Sequence, residues 1–359
     1  MEPAFKSAIA DRRSMIAVLT ITSVSESWIF VRREGDPSRS ITTQGRWETS
    51  RMALTSKTTR GLYTATTSPF TAEGKLNKAA IAPQIEAQLA AGISGIVVAG
   101  GTGEASALSF SERVEVLATT VEAARGRMPV VAGVASPGLP DAIGLGRACL
   151  DAGADGLMVI TPYGTHPTQN GIRDYYKAVA DGVGQPVMLY DIPYLTLVTT
   201  QPETVRKIID DGSIFAMKAS NPDQVLFTRL VELAGADIAL MSGDEDLFAV
   251  EVALGAVGGV LASTNVLPRT WVEIFETARS GNLVLAQQQF ARIRDFIVSA
   301  FAEPNPGPIK AAQALAGFYA GPVRIPNRPA SAALVETMRM QLVDLLGHEK
   351  SLAAPHERP

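Results

Sequence analysis

Ile214-Phe215-Ala216-Met217-Lys218-Ala219-Ser220 is a short apolar run that carries one cation near its end. The run reads as a buried strand. Burial disfavours the ammonium, lowers its pKa and leaves an amine able to attack a carbonyl. The alternative for Lys218 is a strand-end lysine whose head snorkels to water. Lys75, Lys78, Lys177 and Lys207 stand instead in polar or helical contexts and read as solvated.

Working outward, similar apolar runs recur from Gly61 onward, at 62–67, 95–99, 129–134, 156–160, 186–191, 238–242 and 259–263. Amphipathic segments separate them, at 77–91, 111–124, 140–152, 171–181, 202–210, 223–234, 246–254 and 269–280. Strands that alternate with helices imply parallel βαβ units. Eight such strands, mostly apolar, imply a closed (β/α)8 TIM barrel. A doubly wound sheet is the competitor, but no G-x-G-x-x-G opens the first helix. Further helical stretches at 283–301, 308–318 and 331–346 are additional C-terminal helices that cover the flank or build a subunit interface. The expected division is an N-terminal extension at 1–60, a catalytic barrel at 61–282, a helical segment at 283–346 and a flexible tail at 347–359. The extension is read as disordered or loosely attached, or as lying upstream of a true start at Met52.

The 359 residues are 46% hydrophobic and 19% charged, an ordinary globular balance with material for a large core. A net charge of −4 gives no basic footprint for nucleic acid. The apolar stretch 15–24 is too short to span a bilayer. A single cysteine, Cys149, fits a reducing, cytoplasmic setting and reads as a packed thiol. His166, His348 and His356 are too scattered for a zinc motif, and no metal is expected.

In a barrel, chemistry collects at the C-terminal ends of the strands. After the second strand comes Gly100-Gly101-Thr102-Gly103-Glu104. Closely spaced glycines let backbone N–H groups approach an anion, and Thr102 adds a hydroxyl. The other reading is a plain turn into the next helix. The fifth strand ends in Leu189-Tyr190-Asp191-Ile192-Pro193, next to the strand of Lys218. A phenol beside that amine can shuttle protons, unless Tyr190 is a core aromatic. Gly258-Gly259-Val260 on the eighth strand leaves room for a ligand and offers carbonyls.

These motifs, with Ser242-Gly243-Asp244 and 303–310 (E-P-N-P-G-P-I-K), resemble in order and spacing the dihydrodipicolinate synthase and N-acetylneuraminate lyase family over about 61–346. The resemblance implies a Schiff base between Lys218 and pyruvate or a related 2-oxo acid, with no other cofactor. It implies Tyr190 as the proton shuttle, and Gly100, Gly101 and Thr102 as the carboxylate-binding loop. It places a backbone carbonyl of Val260 near the pyruvate, and it implies a homotetramer. Three positions depart from the lysine-pathway synthases. Gly101 replaces the first threonine of their G-T-T-G-E loop, Gly164 the second aromatic of P-Y-Y-N, and Leu195 the arginine that binds the aldehyde's carboxylate. The expected activity is thus a pyruvate-type class I aldolase or lyase with a different second substrate. His166, Tyr194 and Thr196 are candidate contacts to it, His166 equally a solvated loop residue. The alternatives are a genuine 4-hydroxy-tetrahydrodipicolinate synthase, a sugar-acid dehydratase of the same family, and a non-catalytic 2-oxo-acid-binding protein.

Overall fold

Strands buried on both faces need apolar residues at every position, and the chain supplies them. The computed structural model describes residues 54–352, together with the backbone of a short antiparallel pair, Arg39–Ile41 with Trp47–Thr49. The expectations for residues 1–53 and for the tail beyond Leu352 lie outside the described residues. Residues 1–50 and 51–359 form separate units.

Within the larger unit, eight parallel strands close a barrel in sequence order: β1 (Gly61–Ala65), β2 (Gly95–Val98), β3 (Val130–Val134), β4 (Gly156–Ile160), β5 (Val187–Asp191), β6 (Ile214–Ala219), β7 (Ala239–Ser242) and β8 (Gly258–Leu261). The seam is β8 against β1, with Val260 opposite Tyr63. Alternation divides the core in two. Tyr63, Val97, Val131, Met158, Met188, Ala216, Met241 and Val260 fill the interior. Leu62, Ile96, Val130, Leu157, Leu189 and Met217 face the helices.

The helices between strands are α1 (Ile81–Ala91), α2 (Phe110–Ala124), α3 (Leu139–Asp151), α4 (Gln169–Val183), α5 (Pro202–Asp210), α6 (Gln224–Ala234), α7 (Phe248–Leu254) and α8 (Pro268–Arg279). Local chemistry starts several of them. Ser109 and Glu112 form a capping box on α2, Thr168 caps α4 and Asp223 caps α6. The first helix begins at Ile81 rather than Asn77, after a 3-10 turn at Lys78–Ala80. Pro83 explains this, because it has no N–H to bond the carbonyl four residues earlier. Cys149 is buried on α3, and burial pushes its thiol up to about 12, which fits a packing role.

Then come α9 (Leu283–Ala300), α10 (Gly307–Leu315) and α11 (Ala332–Ser351). The end of α11 corrects an expectation: His348–Ser351 continue the helix into the segment read as a flexible tail. Glu349 holds it there. Its carboxylate accepts from Arg269 N (2.7 Å), Thr270 N (2.9 Å) and the Thr270 hydroxyl (2.7 Å). An anion at the start of α8 satisfies orphan N–H groups and complements the helix dipole. Glu349→Ala is expected to cost about 1–3 kcal/mol. Urea unfolding would show a lower midpoint with an unchanged slope.

Candidate active site

Lys218 and Tyr190 are direct register partners on β6 and β5, so their side chains leave the sheet on the same side. A bulge precedes them. Val187 pairs with Ile214 and Met188 with Ala216, which leaves Phe215 as the additional residue. Ile214 therefore faces the helices while Phe215 and Ala216 both face the interior. Lys218 stands two places further along on that inner face. Its Nζ lies 4.5 Å from the centre of the Tyr190 ring. Gly243 at the end of β7 makes space for the lysine stem: a Cβ there would meet Lys218 Cε at 2.8 Å and Ser220 Oγ at 2.0 Å.

Lys218 is 7% exposed and forms no ion pair with any described residue. It does not snorkel. Burial lowers its pKa from 10.5 to about 8, against the opposing pull of the Glu245 and Asp244 carboxylates. Burial also pushes the Tyr190 phenol well above its ordinary value, with the Ser220 hydroxyl opposing. Glu245 is buried and pinned, its Oε1 accepting from Ala262 N (2.8 Å), Ser263 N (3.1 Å) and Ser263 Oγ (3.1 Å). That carboxylate ties the end of β7 to the end of β8, beside Val260. Val260 itself is fully buried and points into the interior.

The Gly100–Glu104 loop faces the same barrel end. Ala99 and Glu104 flank it with left-handed backbones, at φ 53° and 57°. Gly133 on β3 has no side chain because a Cβ would strike Ala99 O at 2.6 Å. The N–H groups of Gly101 and Thr102 have no backbone partner among the described residues. Such paired free donors suit an oxyanion. Supports arrive from far along the chain. Asn305 Nδ2 donates to Thr102 Oγ1 (2.9 Å). Glu104 Oε2 accepts from Arg324 N (2.9 Å), while Lys310 Nζ sits 2.6 Å from its Oε1. Both charges of that pair are almost wholly buried, and Lys310 also donates to Pro322 O (2.7 Å) and lies over the Phe70 ring.

The molecule thus buries two lysines of opposite character. Lys310 has a carboxylate at contact distance, and Lys218 has none. Sequence reasoning missed Glu245, Asn305 and the Glu104–Lys310 pair. Asn305, Glu104 and Lys310 lie inside the quoted motifs, but nothing in local sequence pairs them. Asp191 was also missed. It is buried, pushed up to about 6 by desolvation, and holds the following loop by accepting from Thr200 N (2.9 Å).

A cavity of about 280 Å³ opens beside Tyr190. Its wall comprises Gly100, Gly101, Ala105 and Ser106 after β2; Gly133, Val134 and Ala135 at the end of β3; Met158, Ile160 and Tyr163 from β4 and its loop; and Tyr190 and Leu195. Gly100, Gly101 and Tyr190 are therefore together on one surface. Lys218, Thr102 and Val260 lie outside that wall, with Lys218 against the Tyr190 ring. The proposed contacts His166, Tyr194 and Thr196 do not line it. His166 and Tyr194 are exposed, and the buried Thr196 hydroxyl bonds Ile192 O and Val198 O. Gly164 is an exposed turn residue at φ 75°. Among the described residues no cluster of three or more His, Cys, Asp or Glu is arranged to hold a metal ion. Nor is any described helix long and apolar enough to cross a membrane.

A parallel (β/α)8 barrel with a desolvated amine at the C-terminal ends of its strands belongs with the lyases of class I aldolase type, which cleave carbon–carbon or carbon–oxygen bonds. Comparison with known proteins agrees. The Dihydrodipicolinate synthetase family matches residues 58–346, and the chain belongs to that family. It is 35% identical over 292 residues to the 4-hydroxy-tetrahydrodipicolinate synthase of Methanothrix thermoacetophila, covering 80% of this chain and 98% of that one. It is 38% identical over 285 residues to that of Sorangium cellulosum, covering 78% and 95%. Among solved structures, dihydrodipicolinate synthase from Aquifex aeolicus superposes with a TM-score of 0.77 at 31% identity, covering 82% of this chain and 99% of that one. A monomeric dihydrodipicolinate synthase variant gives 0.78 at 31% identity, covering 81% and 98%.

Two stability tests separate the buried lysines. At neutral pH Lys218 is protonated in both folded and unfolded chains, so a folded pKa of about 8 against 10.5 opposes folding by on the order of 3 kcal/mol. That cost is complete below about pH 8 and disappears as pH rises through 10.5. Lys218→Met is expected to raise the unfolding free energy at pH 7 by about 1–3 kcal/mol, with the gain fading in alkali. Lys310→Met is expected to do the opposite. It strands Glu104 and costs about 3–5 kcal/mol. Denaturant titration of both variants at pH 7 and pH 10.5 reads each sign.

Proposed function

We propose that the protein is a Schiff-base lyase acting on pyruvate or a related 2-oxo acid, with Lys218 as the nucleophile. The observation that carries this reading is a lysine 7% exposed, without an ion-pair partner among the described residues, and paired in register with Tyr190. A pKa of about 8 leaves an appreciable neutral fraction near physiological pH. The amine attacks the keto carbon of the 2-oxo acid, and water leaves as the iminium forms. The iminium then accepts electrons as a proton leaves the methyl group, which gives an enamine. Tyr190, weakly acidic in its buried position, carries protons between substrate atoms. The free N–H groups of Gly101 and Thr102, with the Thr102 hydroxyl, hold the carboxylate, and Gly100 and Val260 border the same site. No metal or other cofactor enters this scheme.

The second substrate is proposed to differ from that of the lysine-pathway synthases. Support comes from Gly101, Gly164 and Leu195, which stand where the resemblance expects a threonine, an aromatic and an arginine. Loss of an arginine–carboxylate contact removes about 1.5–3 kcal/mol. A second reading, a genuine 4-hydroxy-tetrahydrodipicolinate synthase, is favoured by the names of relatives at 33–38% identity. Turnover of pyruvate with aspartate semialdehyde at a rate above that with other aldehydes would establish the second reading and remove the first. A homotetramer in the cytoplasm is part of the same proposal.

Incubation with pyruvate and borohydride, followed by intact mass and peptide mapping, tests the nucleophile. A reduced pyruvyl adduct on Lys218 is expected, and none in Lys218→Ala. The trapping rate should rise with pH through a midpoint near 8 as the amine deprotonates. A midpoint at 10.5 would mean a solvated lysine and would defeat the assignment. Tyr190→Phe should still form the adduct but lose about 10²- to 10⁴-fold in turnover.

A further inference from the structure

The wall of the cavity points to a class for the second substrate. We infer that it is an uncharged aldehyde with an apolar substituent, seated between Leu195 and Met158 with its carbonyl toward Tyr190. The inference rests on the Schiff-base reading above and deepens it. Val134, Met158, Ile160, Tyr163 and Leu195 supply apolar surface to the cavity. Among the described residues no lysine, arginine or histidine contributes to its wall. Polar capacity is small. The Tyr163 hydroxyl is spent on Ala135 O at 3.1 Å. Ser106 alone among the remaining wall side chains, apart from Tyr190, carries a hydroxyl. With the Gly101 N–H taken by the 2-oxo acid's carboxylate, a second carboxylate or a phosphate buried there has no charged partner in the wall, a costly arrangement. An aliphatic chain or a ring instead exchanges water for Leu195, Met158 and Ile160.

Gly101 adds room. A Cβ at that position meets nothing within 4 Å, so the loop leaves open space at the cavity rim. The reaction balances without another reagent. The enamine carbon attacks the aldehyde carbonyl, and a carbon–carbon bond forms. The carbonyl π pair moves to oxygen, which takes a proton from Tyr190. That proton is the one Tyr190 took from the pyruvate methyl as a phenolate, having first given its own to the departing carbinolamine hydroxyl, and the water that hydrolyses the iminium reprotonates it. Water then hydrolyses the iminium, releasing a 4-hydroxy-2-oxo acid and the free Lys218 amine. Run in reverse, the same steps cleave that product.

The test pairs aldehydes that differ only in charge or closely so. Full-length protein and pyruvate are mixed with benzaldehyde or 4-carboxybenzaldehyde, and with 3-methylbutanal or 4-oxobutanoate. Pyruvate loss and the 4-hydroxy-2-oxo acid are followed by mass spectrometry, with borohydride trapping of Lys218 in parallel. The expected kcat/KM favours the uncharged member of each pair by about 10- to 100-fold. Leu195→Arg, at an exposed position that tolerates a polar side chain, should narrow or invert that ratio. A preference for the carboxylated aldehydes, or adduct formation with no turnover of any aldehyde, overturns the inference while leaving the Schiff base intact. An unchanged ratio in Leu195→Arg overturns it as well. Absence of the adduct overturns the Schiff-base reading itself, and this inference with it.

Discussion

An ammonium group taken out of water without a counter-charge opposes folding, and the site is organised around that cost. Lys218 is held in place by everything that surrounds it. The closed barrel supplies low-dielectric walls, the bulge at Phe215 sets the inner face, and Gly243 gives the stem room. Glu245 and Asp244 soften the penalty without cancelling it. A carboxylate at contact distance would restore the ammonium and remove the nucleophile. The fold supplies that arrangement elsewhere, at Lys310 and Glu104. The same residue type therefore serves two ends, and what separates them is one neighbouring carboxylate.

The paired lysine has its own part in the site. Glu104 closes the loop that begins at Gly100, and the ion pair fastens that loop to α10. Asn305 reaches the Thr102 hydroxyl from the turn just before the helix. Arg324 completes the fastening, its backbone bonded to Glu104 and its guanidinium to Glu112 on α2. The C-terminal helices are thus more than a cover. They fix the donors of a loop whose glycines alone would leave it free to move.

Much of the barrel was legible because strands buried on both faces read as unbroken apolar runs. Lys218 was legible for the same reason, as a charge where the pattern forbids one. Tyr190 followed from adjacency of the fifth and sixth strands. Helix edges were less legible. Pro83 shortened the first helix, and the single turn Pro193–Thr196 is too brief to leave a periodic signal. Contacts between distant residues were illegible in principle. Asn305 meets Thr102 across a separation of 203 positions, and Glu349 meets Thr270 across 79. The candidate contacts His166, Tyr194 and Thr196 lie outside the cavity wall, although burial and the nearby Tyr190, Glu245 and Asp244 push the Tyr194 phenol up. Position on a loop did not reveal which of these side chains turn inward, and Thr196 spends its hydroxyl on its own loop.

The dependence of the Gly100 loop on residues 305–324 has a consequence for the order in which the protein comes into being. A chain is made from its N-terminus, so the strands and their lysine are complete while the supports for the loop are still to be synthesised. A nascent barrel ending at Arg279 would carry Lys218 and Tyr190 but no Asn305, Lys310 or Arg324. The amine is made early and its anion clamp late, and a growing chain has no finished grip on a small acid until its last helices have docked.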